Sequence, residues 1–388
     1  MKEGGILYRC ISFAFHTMLS LFFYLFRVFP IKKNKVAFSS FYGRGYGDNP
    51  KKICEALHNK NKGYDLVWEV GSDKIELPSY VRSIKIGSIR WIYEMCTTKV
   101  WVDNCRKAHY MRRRQNQHYI QTWHGDVCIK AVEADATETL SKGYIKDAKN
   151  DSKMATEIVS SCEWRTKNIR EAFWYNKDIL KAELYRPLTL DENQKKELEQ
   201  SIKNELKVKP ETNILLYAPT FRKNQSTDSY NLDYEALSDI LSKKFGGEWC
   251  VVVRLHPNVS HLQNSIKYSE RVKNGSIFAD INNLMTVSNI LITDYSGIIF
   301  RTLRQEKTLF LYCPDYEQYI QEDRKLYFDL KKFPASFAKS NQELHENILN
   351  FDRNEYQKAA TSFVNELGYY NNDGVNIICD YIETKTEV

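Results

Sequence analysis

The sequence predicts an α/β protein built from two Rossmann-like halves behind an apolar N-terminal segment. Three observations carry that expectation. Apolar, β-branched runs alternate with amphipathic ones on both sides of a charge-rich stretch near residue 200, the pattern of parallel strands covered by helices. Two of those runs end near a histidine: His124 in Tyr119-Ile-Gln-Thr-Trp-His-Gly125, and His256 in Cys250-Val-Val-Val-Arg-Leu-His-Pro257. Chain leaving a strand there delivers a side chain to the carboxyl edge of a sheet, where open α/β folds bind ligands. One histidine in each half predicts a cleft with an imidazole on each wall.

Composition agrees with that size and class. The 388 residues accommodate two domains, and the apolar (43%) and charged (27%) fractions are those of a globular protein. The 25 Tyr and 19 Phe suit stacking or membrane-facing surfaces. A net charge of +7 is modest for this length. It does not imply nucleic acid, and it fits anionic lipid or phosphorylated substrates equally well. The nine Cys are scattered, odd in number and without a C-x-x-C pair. That argues against a zinc site or disulfide framework and for a reducing setting.

Residues 1–31 form the first element. Ile6 to Pro30 is strongly apolar, and no charge falls between Ile11 and Phe26. This is slightly short of the roughly 20 apolar residues of a spanning helix. Arg9, Ser12, His16, Ser20 and Arg27 fall on one narrow helical stripe. The pattern predicts an amphipathic helix lying in the membrane interface. A spanning anchor and a buried helix are the alternatives. If the segment spans, Lys32, Lys33 and Lys35 place the following body in the cytoplasm. No small-residue cleavage site follows.

The first domain, 32–190, opens with a strand over Lys35 to Phe41 entering the Gly-rich turn Tyr42-Gly-Arg-Gly-Tyr-Gly47. That spacing matches neither a dinucleotide fingerprint nor a P-loop. A plain turn and a phosphate contact are both open readings. Asp48 or Asn49 caps the next helix, with Pro50 at its first position. Strands follow at Tyr64 to Val70 and Val100 to Asp103, with a helix from Ser88 to Thr98 between them. Arg112-Arg-Arg114 reads as a solvated turn or a lipid-headgroup contact.

Residues 191–212 read as a charge-rich linker helix, and 213–388 as the second domain. There, strands are expected at Asn213 to Thr220, Cys250 to Leu255 and Ser276 to Ala279, then at Asn289 to Thr293, with Thr308 to Tyr312 last. Helices are expected from Tyr234 to Lys244, from Ile281 to Val287 behind an Asp280 cap, and from Ser296. Backbone N–H groups of Ser296 and Gly297 would offer an anion site at that last helix start. Asp294 reads as a turn former. The tail from Asn341 to Thr384 reads as helical.

The motifs, taken in order, are Gly47-Asp-Asn-Pro50, Gln121-Thr-Trp-His-Gly125, Leu216-Tyr-Ala-Pro-Thr-Phe-Arg222, Arg254-Leu-His-Pro257, Asp280-Ile-Asn-Asn-Leu284 with Ile292-Thr-Asp-Tyr-Ser296, and Leu326-Tyr-Phe-Asp-Leu330. Together this series resembles the CDP-glycerol glycerophosphotransferases of teichoic-acid and capsule synthesis. The resemblance implies a GT-B arrangement, two Rossmann-like domains facing a cleft with the nucleotide on the second, and membrane association on the cytoplasmic side. It implies transfer of an alditol phosphate, glycerol or ribitol, from a CDP donor to a lipid-linked glycan or polymer acceptor, with release of CMP. It implies that His124 acts as base on the acceptor hydroxyl, and that His256 with Arg254 faces the donor phosphates. Pro219 and Thr220 match a donor-contacting loop, and Ser296 with Gly297 the phosphate-holding pair. Trp123, Gly125, Asp126, Arg186 and Arg301 complete the candidate donor-side set. Asp126 and Arg301 depart from the family pattern, which has Thr after the His-Gly pair and Asp where Arg301 stands. No cofactor is implied, and no Asp-x-Asp pair marks a metal–diphosphate site. Two other functions stay open: a nucleotide-sugar glycosyltransferase releasing UDP, and a decayed membrane scaffold.

Overall fold

The computed structural model describes residues 6–186, 190–222, 230–255, 266–278 and 280–387, with side chains from residue 14 onward. The chain forms two compact units. The first comprises residues 1–126, 132–184 and 369–388, and the second 127–131 and 185–368.

The first unit begins with α1 (Ile6–Leu25). Then come β1 (Lys32–Ser39), α2 (Asp48–Asn59), β2 (Asp65–Val70), β3 (Arg82–Lys85), α3 (Ile89–Thr97), β4 (Thr98–Asp103) and β5 (His118–Gln121). Helix α4 (Lys142–Met154), β6 (Glu157–Ser160), α5 (Glu163–Ala172) and β7 (Ile179–Lys181) follow. All seven strands are parallel, in the order β3-β2-β1-β4-β5-β6-β7. Val36, Ala37 and Phe38 on β1 are all buried, as a strand covered on both faces requires. Lys35, also buried, is neutralised by Glu94 at 2.6 Å and held by Thr97 at 2.9 Å.

The second unit holds α6 (Glu192–Leu206), β8 (Asn213–Tyr217), α7 (Tyr234–Phe245), β9 (Trp249–Val253), β10 (Val272–Asn274), α8 (Ile281–Val287), β11 (Ile290–Thr293) and α9 (Ile298–Arg304). It continues with β12 (Thr308–Tyr312), α10 (Tyr316–Glu322), β13 (Ser336–Ala338), α11 (Asn341–Leu349) and α12 (Arg353–Leu367). Its six parallel strands run β10-β9-β8-β11-β12-β13. Counted within each unit, the order from the far edge is the doubly wound 3-2-1-4-5-6, with a seventh strand added beyond it in the first sheet. Each sheet therefore has a topological switch point, between β1 and β4 and between β8 and β11, where ligands bind.

Several expectations are corrected. The strand expected at 276–279 lies earlier, at β10, because Asn274 accepts from Ser276 N–H and turns the chain into a 3₁₀ segment at Gly275–Ile277. Strand β12 is not the last, since β13 pairs beyond it. Neither Asp48 nor Asn49 caps α2. Gly47 stands at the cap, and both polar side chains reach across to residues 104 and 123. The final helix α13 (Gly374–Lys385), assigned above to the second half, clusters with the first unit, where it packs on α2.

Helix α1 forms as expected, and its contacts show which way the polar stripe points. Among the described side chains, those of His16, Ser20 and Arg27 face the protein. Ser20 Oγ donates to the Tyr110 carbonyl at 2.9 Å, Arg27 donates to the Arg113 carbonyl at 3.3 Å, and His16 stacks on Tyr110. Leu19 and Phe23 are buried beside them, while Phe15, Met18, Leu21, Leu25 and Val28 are exposed. Among the described residues no helix is long and apolar enough to cross a membrane, so the spanning alternative is not met by α1. Arg112, Arg113 and Arg114 are engaged with backbone carbonyls, including those of His109, Met154 and Phe29.

Candidate functional site

In the first unit the candidate site is built at the switch point. Strand β1 ends at Ser39, and the turn after it holds unusual backbone: Phe41, Tyr42 and Asp48 have φ of 47°, 61° and 57°. Bulky side chains rarely adopt this left-handed region, and such strain clusters at functional sites. Gly43, at φ 74°, has no alternative, because a Cβ there would meet Gly71 N at 2.8 Å. Asn104, just past β4, fixes the turn. Its Oδ1 accepts from Phe41 N–H at 2.9 Å, and its Nδ2 donates to Asp48 at 2.6 Å.

His124 stands three residues past β5. Thr122 N–H donates to the Asp103 carbonyl at 2.8 Å, and Trp123 N–H to Gln121 Oε1 at 2.9 Å. These bonds hold Trp123 at φ 59° and swing the next residue outward. His124 Nδ1 lies 2.9 Å from the Asn104 carbonyl, an acceptor only, so Nδ1 carries the proton and Nε2 keeps its lone pair. The ring stacks on Trp123 at 4.5 Å and meets the edge of Phe41 at 6.2 Å. Solvent reaches the ring, yet crowding by protein still strips hydration. That loss lowers its pKa below the ordinary histidine value, against the opposing pull of the Asn104 carbonyl and Asp48.

Behind Trp123 lies a buried ionic network. Arg106 pairs with Glu133 at 2.8 Å and Asp151 at 3.0 Å, and Lys107 with Glu69 at 2.6 Å and Asp103 at 2.8 Å. The Arg106 guanidinium sits 5.3 Å from the Trp123 ring. Such a network is costly to desolvate but holds its neighbours in one geometry when every charge is paired. Asp126 is buried in the same unit and accepts from the Ser161 hydroxyl at the end of β6. Gly125 is partly exposed between them.

In the second unit the switch point brings together the ends of β8 and β11. Asp294 is 1% exposed and accepts from Thr220 N–H at 2.8 Å, Tyr295 N–H at 2.7 Å and Arg222 at 2.7 Å. Arg222 also donates to Asp315 at 2.5 Å and to the Thr220 carbonyl at 2.6 Å, with Tyr295 and Tyr319 against its guanidinium. Asp294 is thus a turn former and more: it ties the loop after β8 to its own, and Arg222 extends the tie to Asp315 in the loop after β12. Pro219 is buried, while the Thr220 hydroxyl is buried with no hydrogen-bond partner among the described residues. Ser296 is partly exposed, with its Oγ 3.5 Å from the Ile298 N–H, and Gly297 is exposed at the cap of the helix that follows.

The remaining predicted residues are more dispersed. Arg254 donates to the Gly275 carbonyl at 3.2 Å and to the Phe278 carbonyl, and thereby pins the turn after β10. Arg301 donates to Asn282 at 2.8 Å and lies 5.2 Å from the Tyr185 ring. Its charge bridges α9 to α8. Arg186 is exposed. His256 lies outside the described residues. Sequence reasoning missed Asn104, Arg222 as a holder of the site, and Asp315. Each stands one to five residues past a strand end, and that placement was the signal that could have found them.

These geometries have known counterparts. The family model described as CDP-Glycerol:Poly(glycerophosphate) glycerophosphotransferase matches residues 21–382. A teichoic acid poly(glycerol phosphate) polymerase of Bacillus spizizenii is 28% identical, over 95% of this chain and 94% of its own length. One from Bacillus subtilis, also 28% identical, is matched over 89% of this chain but 48% of its own. Among solved structures, the wall teichoic acid polymerase TagF superposes with a TM-score of 0.79 at 22% identity, covering 98% of both chains, a likeness of fold. With the family model spanning nearly the whole chain, the protein belongs to the CDP-glycerol:poly(glycerophosphate) glycerophosphotransferase family.

Proposed function

We propose that this enzyme transfers glycerol phosphate, or a related alditol phosphate, from a CDP donor to a hydroxyl of a membrane-linked glycan or teichoic-acid acceptor. The observation that carries the mechanism is the His124 tautomer, with Nδ1 engaged by the Asn104 carbonyl and Nε2 free. An acceptor hydroxyl oxygen attacks the β-phosphorus. The new O–P bond forms as the bond from that phosphorus to the bridging oxygen breaks, and the electron pair leaves on CMP. His124 Nε2 takes the hydroxyl proton. The first unit serves the acceptor and the second the donor, the GT-B division of labour that the family resemblance implies.

On the donor side the Thr220 hydroxyl and the N–H groups of Ser296 and Gly297 hold phosphate oxygens, aided by His256 and Arg254. Charge building on the leaving CMP is met there by fixed donors rather than by mobile water. Trp123, stacked on the imidazole, positions His124. Arg301, tied to Asn282, shapes the wall of the site and bears on the choice of alditol.

The acceptor is membrane-linked, and α1 supports peripheral attachment on the cytoplasmic side. Phe15, Met18, Leu21 and Leu25 make an exposed apolar face on a helix already fastened to the protein by its other side, and Val28 is exposed in the turn just after it. The test of the chemistry is a donor panel of CDP-glycerol, CDP-ribitol and a UDP-sugar, with mass detection of product. CMP release with an alditol-phosphate mass gain is expected. UDP release, or no turnover of either CDP-alditol, overturns the reading.

A further inference from the structure

The chain passes from the first unit into the second for only five residues, 127–131, before returning. That short passage is firmly docked. Ala131 N–H donates to the Lys325 carbonyl at 2.8 Å and Tyr327 N–H to the Ile129 carbonyl at 2.8 Å, while Lys130 and Leu326 form an antiparallel bridge. At its other end the Val127 carbonyl lies 3.6 Å from where a Cβ on Gly297 would stand. The passage therefore runs beside the turn that opens α9, and its backbone bonds fix where Lys130 is delivered.

Lys130 arrives among charges that are already committed. Asp294 is shared by Arg222 and two backbone N–H groups, and Asp315 by Arg222 and the Tyr295 hydroxyl. Lys130 itself makes no ion pair or hydrogen bond among the described residues. Its ammonium lies 5.9 Å from the Tyr319 ring. The charged groups that face it are Asp294, Arg324, Asp323 and Arg222. A poorly hydrated ammonium with no anion in contact is costly to hold, and an incoming anion removes that cost. The Thr220 hydroxyl, bonded through its own backbone to the same Asp294, is a second polar group lacking a partner among the described residues.

We infer that Lys130 is a diphosphate-binding residue of the donor site, supplying the cation that neutralises the nucleoside diphosphate beside Thr220 and Gly297. This rests on the donor-side reading above and adds to it a residue that is delivered by the chain segment following His124. Loss of hydration, with Arg324 and Arg222 nearby, lowers the Lys130 pKa to about 8, so in the empty site part of the population is neutral at mildly alkaline pH. Bound diphosphate restores the charge, so binding takes up a proton there.

The experiment is calorimetric titration of the full chain with CDP, with UDP and, separately, with cytidine. Lys130→Met is expected to weaken CDP about 10-fold or more and to leave cytidine unchanged. Lys130→Arg should recover most of the affinity. At pH 8.5, wild-type binding of CDP should take up protons, seen by comparing buffers of different ionisation enthalpy, and the Lys130→Arg form should not, because a guanidinium is always charged. Equal CDP affinity in wild type and Lys130→Met overturns the assignment, as does equal proton uptake in wild type and Lys130→Arg. Should Lys130→Met fail to fold, the Arg variant and the proton count decide alone. A wild type that binds UDP in place of CDP sinks the donor reading while leaving Lys130 testable with UDP.

Discussion

A histidine is a base at neutral pH only if one nitrogen is free and unprotonated. At His124 both conditions come from neighbours: the Asn104 carbonyl engages Nδ1, and loss of hydration lowers the pKa. The sign matters. A lowered pKa keeps Nε2 unprotonated down to below the ordinary value of about 6.5. The acid limb of kcat/KM should therefore have its midpoint below 6.5, with a plateau above it. His124→Asn should lower kcat by about 10²- to 10⁴-fold with CDP binding intact. A pH–rate profile and single-variant kinetics check both, and an acid midpoint above 7 or an active His124→Asn would sink the base assignment. The histidine itself was legible in the sequence, because Trp-His-Gly follows a strand. Its tautomer was not, because the group that sets it lies 20 residues away on the loop after a different strand.

At the scale of elements, α1 shows what periodicity can and cannot say. The spacing of His16, Ser20 and Arg27 gave a helix with one polar stripe, and it is a helix. The same spacing gave no direction. Tyr110 and Arg113 offer backbone carbonyls, and the stripe turned toward them rather than toward water. Phe15, Met18, Leu21 and Leu25 were left outward, while Leu19 and Phe23 are buried. Each that leaves water for a lipid interface contributes up to about 1.5–3 kcal/mol. Leu21→Glu with Leu25→Glu should therefore cut cosedimentation with anionic phospholipid vesicles by about 100-fold or more. Turnover of a soluble acceptor should persist, and stability should change by no more than about 0.5 kcal/mol, as at other exposed sites. Unchanged vesicle binding would remove α1 from the membrane contact.

At the scale of the whole molecule, the first unit is closed by the end of the chain. Tyr370 N–H donates to the Ser161 carbonyl at 3.0 Å, and Asn372 spans Glu183 N–H at 2.9 Å and the Lys181 carbonyl at 3.0 Å. Helix α13 then starts with Gly374 against the backbone of Glu183, where a Cβ would stand 2.4 Å from both N and O. Backbone cannot give way as a side-chain tip can. Gly374→Ala should cost about 1–3 kcal/mol in chemical denaturation. Gly45→Ala, with nothing within 4 Å, is the control and should be nearly neutral. Equal effects would mean that α13 does not close the unit. The sequence by itself determined the α/β class, the doubling of the fold, most strand and helix positions, and the motifs that mark the family, because these rest on local periodicity and on short runs of residues. Only the tertiary structure decided that Asp294 ties together loops 74 residues apart, that α1 turns its polar side inward, that the tail joins the first unit, and that Lys130 stands in the second. Those are contacts between distant segments, fixed by which buried groups find partners, and no local pattern encodes them.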